Sequence, residues 1–170
     1  MTLTPPTAPA PSAPAPIAPA PLALALALIH RLERFPRGLD ALLWRLAAAT
    51  VFWRSGQTKV TGFHINDTTF DLFRDEYKVP LIPPEVAAVL ASITENLCAV
   101  LLVIGLASRL SAGALFGMTL VIEIFVYPES WPDHLLWSAV LVPIILRGPG
   151  ALSVDHLIRS RLDTRPRHNL

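Results

Sequence analysis

Residues 84–106 read PEVAAVLASITENLCAVLLVIGL. A helix rises about 1.5 Å per residue, so about 20 apolar residues cross the hydrocarbon layer of a bilayer. Pro84 suits the first helical position, where its missing N–H removes no helix bond. Glu95 stands near the middle of the stretch. A charge at that depth costs at least a few kcal/mol in lipid, so it turns inward to a protein partner. One such helix with one buried acid predicts further spanning helices around a polar interior.

The neighbouring sequence supplies them. The link Ala107 to Arg109 is too short for anything except an antiparallel return, so Leu110 to Val126, with Glu123, forms the next span. Tyr127-Pro128 ends it, and Trp131 is an interface anchor. Another span runs from Asp133, beside His134, to Leu146 and stops at Arg147-Gly148-Pro149-Gly150. Upstream, Leu39 to Lys59 is the first span and carries Arg45. Asp40 in its first turn suits the helix dipole. Between Val60 and Pro83 the chain is polar, with Phe70, Phe73 and Tyr77 at helical spacing. That spacing predicts a short amphipathic helix over the outer mouth of the bundle.

The fold class that follows is all-α, an integral membrane four-helix bundle. Residues 1–21 alternate proline with small residues and read as a disordered tail. Residues 22–37 read as an interfacial amphipathic helix that Pro36 and Gly38 break, with arginines at the headgroups. Residues 38–150 are the membrane domain, and 151–170 a cytoplasmic tail with an amphipathic start, Leu152 to Leu162. Five spans would require HRLERF, residues 30–35, to enter the lipid, which its charges oppose. The first basic residue, Arg31, follows the apolar run Leu22 to Ile29, so no cleaved signal is read.

Composition agrees. The chain is 52% hydrophobic and 16% charged, against about 25% charged in soluble domains. Its mean hydropathy is +0.49. A net charge of +1 gives no bulk attraction to nucleic acid. Cys98 is the sole cysteine, which excludes an intrachain disulfide or a CxxC pair and reads as helix packing. HExxH, the Walker loop and GxGxxG are missing, and no two histidines lie four apart within a span. No metal site and no intrinsic cofactor are expected, and the catalytic residues stay unknown. Lys and Arg concentrate before the first span, in the link at Arg109, and after the fourth span. The positive-inside rule then places both termini in the cytoplasm.

Five polar residues form the candidate pocket: Arg45, Lys59, Glu95, Glu123 and His134. By helical rise, Arg45 lies roughly 9 Å and Glu95 roughly 17 Å from the cytoplasmic end, a gap that a long arginine side chain spans. Lys59, Glu123 and His134 share the outer level. One reading is a pocket opening outward that binds an anion or a quinone head group, or passes protons through Glu95. The other is a set of structural ion pairs that fix helix register. Gly113 and Gly117 form a GxxxG step, a close-packing signal that makes a homodimer plausible.

Five runs are together similar to one family: SGQTKVTGF (55–63), VPLIPPEVAAVLA (79–91), ENLCAVLLVIGLASRLSA (95–112), VYPESWPDHLLWSAVL (126–141) and RGPGALSVD (147–155). From about Leu39 to Leu157 the chain resembles the DoxX family. Its motif residues fall on Arg45, Gly56, Lys59, Pro84, Glu95, Gly105, Arg109, His134, Gly148, Gly150, Ser153 and Asp155. The resemblance implies a small multi-pass protein of the bacterial inner membrane. It also implies kinship with a subunit of an archaeal quinol oxidase complex, with thiosulfate:quinone oxidoreduction, and with membrane partners of redox-defence enzymes. The expected function is therefore an accessory or subunit of a quinone-linked redox system, not an enzyme on its own, with quinone as ligand and a redox enzyme as partner. A small transporter or a scaffold without redox activity is the alternative.

Overall fold

The computed structural model describes residues 20–33 and 36–162. Most of the tail expected over 1–21, the end of the interfacial helix at Arg34 and Phe35, and the last eight residues lie outside the described residues. The first unit of the chain contributes one described helix, α1 (Ala20–Glu33). It starts two residues before the expected boundary, and His30 bonds Glu33 one turn on at 3.1 Å.

The second unit, residues 36–170, holds everything else. Four long helices carry it: α2 (Arg37–Lys59), α4 (Pro84–Ile104), α5 (Ser108–Phe125) and α6 (Trp131–Arg147). Each lies within two residues of the expected span start. Pro36 precedes α2 in an extended conformation and Gly38 sits inside its first turn, so these two residues open a helix. The helices form a ring in which α2 packs on α4, α4 on α5, α5 on α6 and α6 back on α2. Their common core holds Ala48 and Phe52 of α2, Ala99 and Leu102 of α4, Leu115 of α5 and Leu141 and Ile144 of α6. Small residues on α2 and α4 let the backbones approach. A Cβ at Gly56 would lie 2.6 Å from Asn96 Nδ2. Gly113 and Gly117 differ: among the described residues nothing stands within 4 Å of a Cβ at either, so the GxxxG step mediates no close approach between the described helices.

Between α2 and α4 the chain makes a feature that hydropathy did not predict. Strands β1 (Val60–Thr61) and β2 (His64–Ile65) pair antiparallel around Gly62-Phe63. Gly62 has φ +62°, which a two-residue hairpin link with glycine first requires. The expected amphipathic helix follows as α3 (Asp67–Leu72), continued by a π-helical turn, Phe73–Tyr77. The hairpin and α3 finish α2: the Lys59 carbonyl accepts from Asn66 N at 3.0 Å and Thr69 Oγ1 at 2.9 Å. Phe73 packs with Ala87 and Ala88 of α4, which seats this segment over one end of the helix ring.

The opposite end closes through the C-terminal segment. The α4–α5 turn needs two left-handed residues, Gly105 (φ +73°) and Ala107 (φ +48°). Helix α7 (Val154–Leu162) brings Asp155 to this turn, where its carboxylate accepts from Ala107 N at 2.7 Å and Ser108 N at 2.9 Å. Asp155 therefore caps α5 from 47 residues away and steadies the strained alanine. Ser153 caps α7 itself, its Oγ accepting from His156 N at 3.1 Å.

Candidate functional site

In a helix the Cα–Cβ bonds tilt toward the N-terminus. That tilt decides which charges meet. The Lys59 side chain runs back one turn over Ser55, donating to Ser55 Oγ at 3.1 Å. Glu95 likewise leans toward the start of α4, which lies at the same end of the ring. The two pair with Nζ 2.8 Å from Oε2 and 3.1 Å from Oε1. Both side chains are buried, 6% and 4% exposed. Ser55 Oγ adds a bond to Glu95 Oε1 at 3.1 Å. The 2.8 Å contact to Oε2 is an ion-pair contact without hydrogen-bond alignment, so this buried oxygen keeps acceptor capacity.

Arg45 is not part of this pair, although depth alone brings it near Glu95. Its side chain, like that of Lys59, tilts toward the start of α2, which carries it away from Glu95. It donates from Nη1 to the carbonyls of Leu102 (2.9 Å) and Val103 (3.2 Å) at the end of α4, and from Nη2 to the carbonyl of Leu152. Arg45 is fully buried and ties the last turn of α4 to the segment before α7. Gly105 makes room for it, since a Cβ there would stand 2.4 Å from Arg45 Nη1.

Glu123 and His134 do meet, with Oε2 and Nδ1 2.5 Å apart. His134 is buried, and its ring lies edge-on to Trp137 with centroids 4.9 Å apart. Of the five candidates the structure thus makes two pairs at one end of the ring and leaves Arg45 at the other.

Lys59, Glu95 and His134 line one cavity of about 460 Å³; Glu123 and Arg45 do not. Its walls are mostly apolar, with Phe52, Leu90, Met118, Val121, Ile122 and Trp137, and its roof is Phe73 and Tyr77 from the segment after α3. The Tyr77 and Phe73 rings are tilted at 57° with centroids 4.7 Å apart, and Tyr77 meets Tyr127 edge-on at 5.5 Å. Tyr127 in turn donates its hydroxyl to the Glu76 carboxylate, which ties the roof to the end of α5. Burial, followed by the negative charges of Glu95 and Glu76, pushes the Tyr77 phenol up. The bond to Glu76 pushes Tyr127 up further. Arg74 secures the outer face of the roof, bonding Asp71 at 3.1 Å and Glu85 at 3.0 Å. Sequence reasoning missed Ser55, Tyr127 and Trp137 as members of this site. The signal for Ser55 was its position four residues before Lys59. Tyr127 follows α5 and Trp137 lies on α6, and neither gave one. Among the described residues, no group of three or more His, Cys, Asp or Glu is placed to hold a metal ion.

Helices α4 and α5 are both long and apolar enough to cross a membrane. No curated protein and no solved structure matches the chain. The DoxX family model matches residues 41–128, from the first turns of α2 to just past α5, and leaves out α6 and the segment that carries Asp155. That match covers half of the chain, and the protein is a membrane protein of the DoxX family.

Proposed function

We propose that α2, α4, α5 and α6 all cross the bilayer, as a four-helix bundle with both chain ends in the cytoplasm, and that the cavity binds the head group of a quinone. The bacterial inner membrane is the location this reading implies. Leu43 and Leu46 of α2, Ile93, Leu97 and Val100 of α4, and Leu135 and Leu136 of α6 point outward, as lipid-facing residues do. Two cations of α2, Arg45 and Lys59, are turned inward and bonded, whereas Arg54 is exposed five residues before the end of the helix, near enough to that end for its long side chain to reach the interface.

The observation that carries the ligand reading is an apolar cavity with one polar floor. Its volume lies within the usual range for small-molecule sites, about 300–1,000 Å³. Phe52, Phe73 and Trp137 supply flat apolar surface for a ring. Lys59, Ser55 and Tyr77 supply donors suited to a quinone carbonyl, and the spare acceptor at Glu95 Oε2 suits a quinol hydroxyl. A free anion fits less well, because Glu95 already neutralises Lys59. A bound quinone would supply two-electron redox chemistry. The residues of the chain would bind and orient it, exclude water and take up a quinol proton at the Glu95 carboxylate. On this reading the electrons come from a partner enzyme, and the protein is an accessory or subunit of a redox system.

Gentle extraction in native lipid followed by native mass spectrometry tests this. A quinone retained by the wild type and lost in Glu95→Gln and Lys59→Met supports the assignment. Wild-type quinone levels in both variants refute it. A protein that carries only phospholipid shifts the weight to transport or scaffolding.

A further inference from the structure

A second concavity, about 540 Å³, opens at the end of the ring opposite the quinone cavity. It lies between the start of α5, the end of α6, the Gly148–Gly150 turn and α7. Arg109, Arg147 and Arg159 line it, with one carboxylate, Asp155. That carboxylate accepts from the amides of Ala107 and Ser108, and three guanidinium groups against one carboxylate leave the lining net positive. The fold holds the Arg109 and Arg147 guanidinium groups in place. Arg109 lies against Gly148, where a Cβ would stand 3.3 Å from its Nε, and it donates to the Leu146 carbonyl at 3.4 Å. Arg147 stacks over the Trp44 ring at 5.3 Å. A guanidinium has five N–H donors in a fixed fork, so one backbone contact leaves it able to grip a phosphate.

The surroundings indicate the source of that phosphate. Leu110 and Leu146 flank the cleft and are 76% and 71% exposed. Along α7, Val154, Leu157, Ile158 and Leu162 make an apolar stripe, with Arg159 and Arg161 among the polar positions. An amphipathic helix of that pattern lies in the plane of a membrane interface.

We infer that this cleft is a binding site for the phosphate of an anionic phospholipid, its head group held by Arg109, Arg147 and Arg159 and its acyl chains lying over Leu110 and Leu146. The inference rests on the membrane reading above and is independent of the quinone assignment. It gives the RGPG turn and α7 a role beyond ending α6. Basic pockets between helices at the cytoplasmic interface are suited to such head groups.

The test uses the full chain, purified in neutral detergent, stripped of lipid and titrated in native mass spectrometry. The probes are phosphatidylglycerol and phosphatidylcholine with the same acyl chains, and inorganic phosphate. Wild type prefers phosphatidylglycerol, and the preference falls about five-fold in each of Arg109→Gln and Arg159→Gln. Arg109→Lys retains most of it, and a wild-type circular dichroism spectrum shows that the variants are folded. Equal binding of the two lipids by the wild type, or an undiminished preference in the folded variants, overturns the site. Millimolar inorganic phosphate that displaces the lipid completely overturns the lipid source in favour of a soluble phosphate. Glu95→Gln leaves the lipid preference intact, so loss of quinone with lipid preference retained strikes the quinone reading alone. A chain that stays soluble without detergent strikes the membrane reading itself.

Discussion

Removing Lys59 exposes how the two ends of the Lys59–Glu95 pair differ. Lys59→Met leaves the Glu95 carboxylate buried, with only the Ser55 hydroxyl donating to it. Breaking a buried pair this way costs about 3–5 kcal/mol in soluble proteins. In a membrane the unfolded reference state also finds polar partners, so the lower end, about 3 kcal/mol or roughly 100-fold in the folding equilibrium, is expected. Glu95→Gln costs less, about 1–2 kcal/mol, because Lys59 stands at the last turn of α2 and its long chain can swing to water. The double variant Lys59→Met/Glu95→Gln buries no charge and stays within about 1 kcal/mol of wild type. Reversible unfolding in mixed micelles, followed by circular dichroism, measures all four proteins. The double-mutant cycle should show a coupling of at least about 2 kcal/mol. Single effects that add to within about 0.5 kcal/mol would mean that the two groups are separately hydrated and that the buried pair is not the floor of the cavity.

Three other outcomes follow from the same geometry. Arg45→Met strips three carbonyls of a charged donor and should cost about 2–4 kcal/mol, with faster proteolysis between residues 148 and 153; an unchanged melting temperature counts against the clamp. Gly105→Ala forces a methyl group against Arg45 and Ser153 at φ +73° and should cost more than about 2 kcal/mol, whereas Gly113→Ala meets nothing and should gain up to about 1 kcal/mol. A damaging Gly113→Ala would reveal a second chain on that face. The chain has two tyrosines, Tyr77 and Tyr127, both pushed up, so the folded protein prefers their neutral forms. Their contribution to stability is full below the unfolded value of about 10 and is lost as pH rises through the higher folded values. Ultraviolet titration of the phenols should show both ionising above the ordinary range in the folded state, and an ordinary curve refutes the closed roof.

Much of the fold was legible because hydropathy and breakers agree. Pro84, the short link at residues 107–109 and the Gly-Pro-Gly after Arg147 mark helix ends that the structure places within a few residues. The partners of the charges were less legible. Depth by helical rise sets Arg45 closest to Glu95, but tilt of the Cα–Cβ bonds carries Arg45 away from Glu95, toward the start of α2, while Lys59 runs back along α2 from its end and Glu95 leans along α4 to meet it. That signal was available in the sequence once chain direction was assigned. The Glu123–His134 pair was visible as a shared level. Asp155 at the start of α5 was not visible, since nothing local in 151–162 announces a partner 47 residues upstream. The β1–β2 hairpin hid in a stretch too short for alternation to show, with Gly62 as its one cue.

The Arg45 and Asp155 contacts also bear on biosynthesis. The turn between α4 and α5 is completed by two residues outside it, one made long before it and one long after. A ribosome delivers Arg45 first, so the last carbonyls of α4 have their donor waiting when that helix emerges. The amides of Ala107 and Ser108 have none until residue 155 leaves the exit tunnel. During that interval the α4–α5 hairpin is inserted but not latched, and arrival of the final segment completes it. Release of a nascent chain shortly before residue 155 would therefore yield a protein with all four long helices present and its central turn still open.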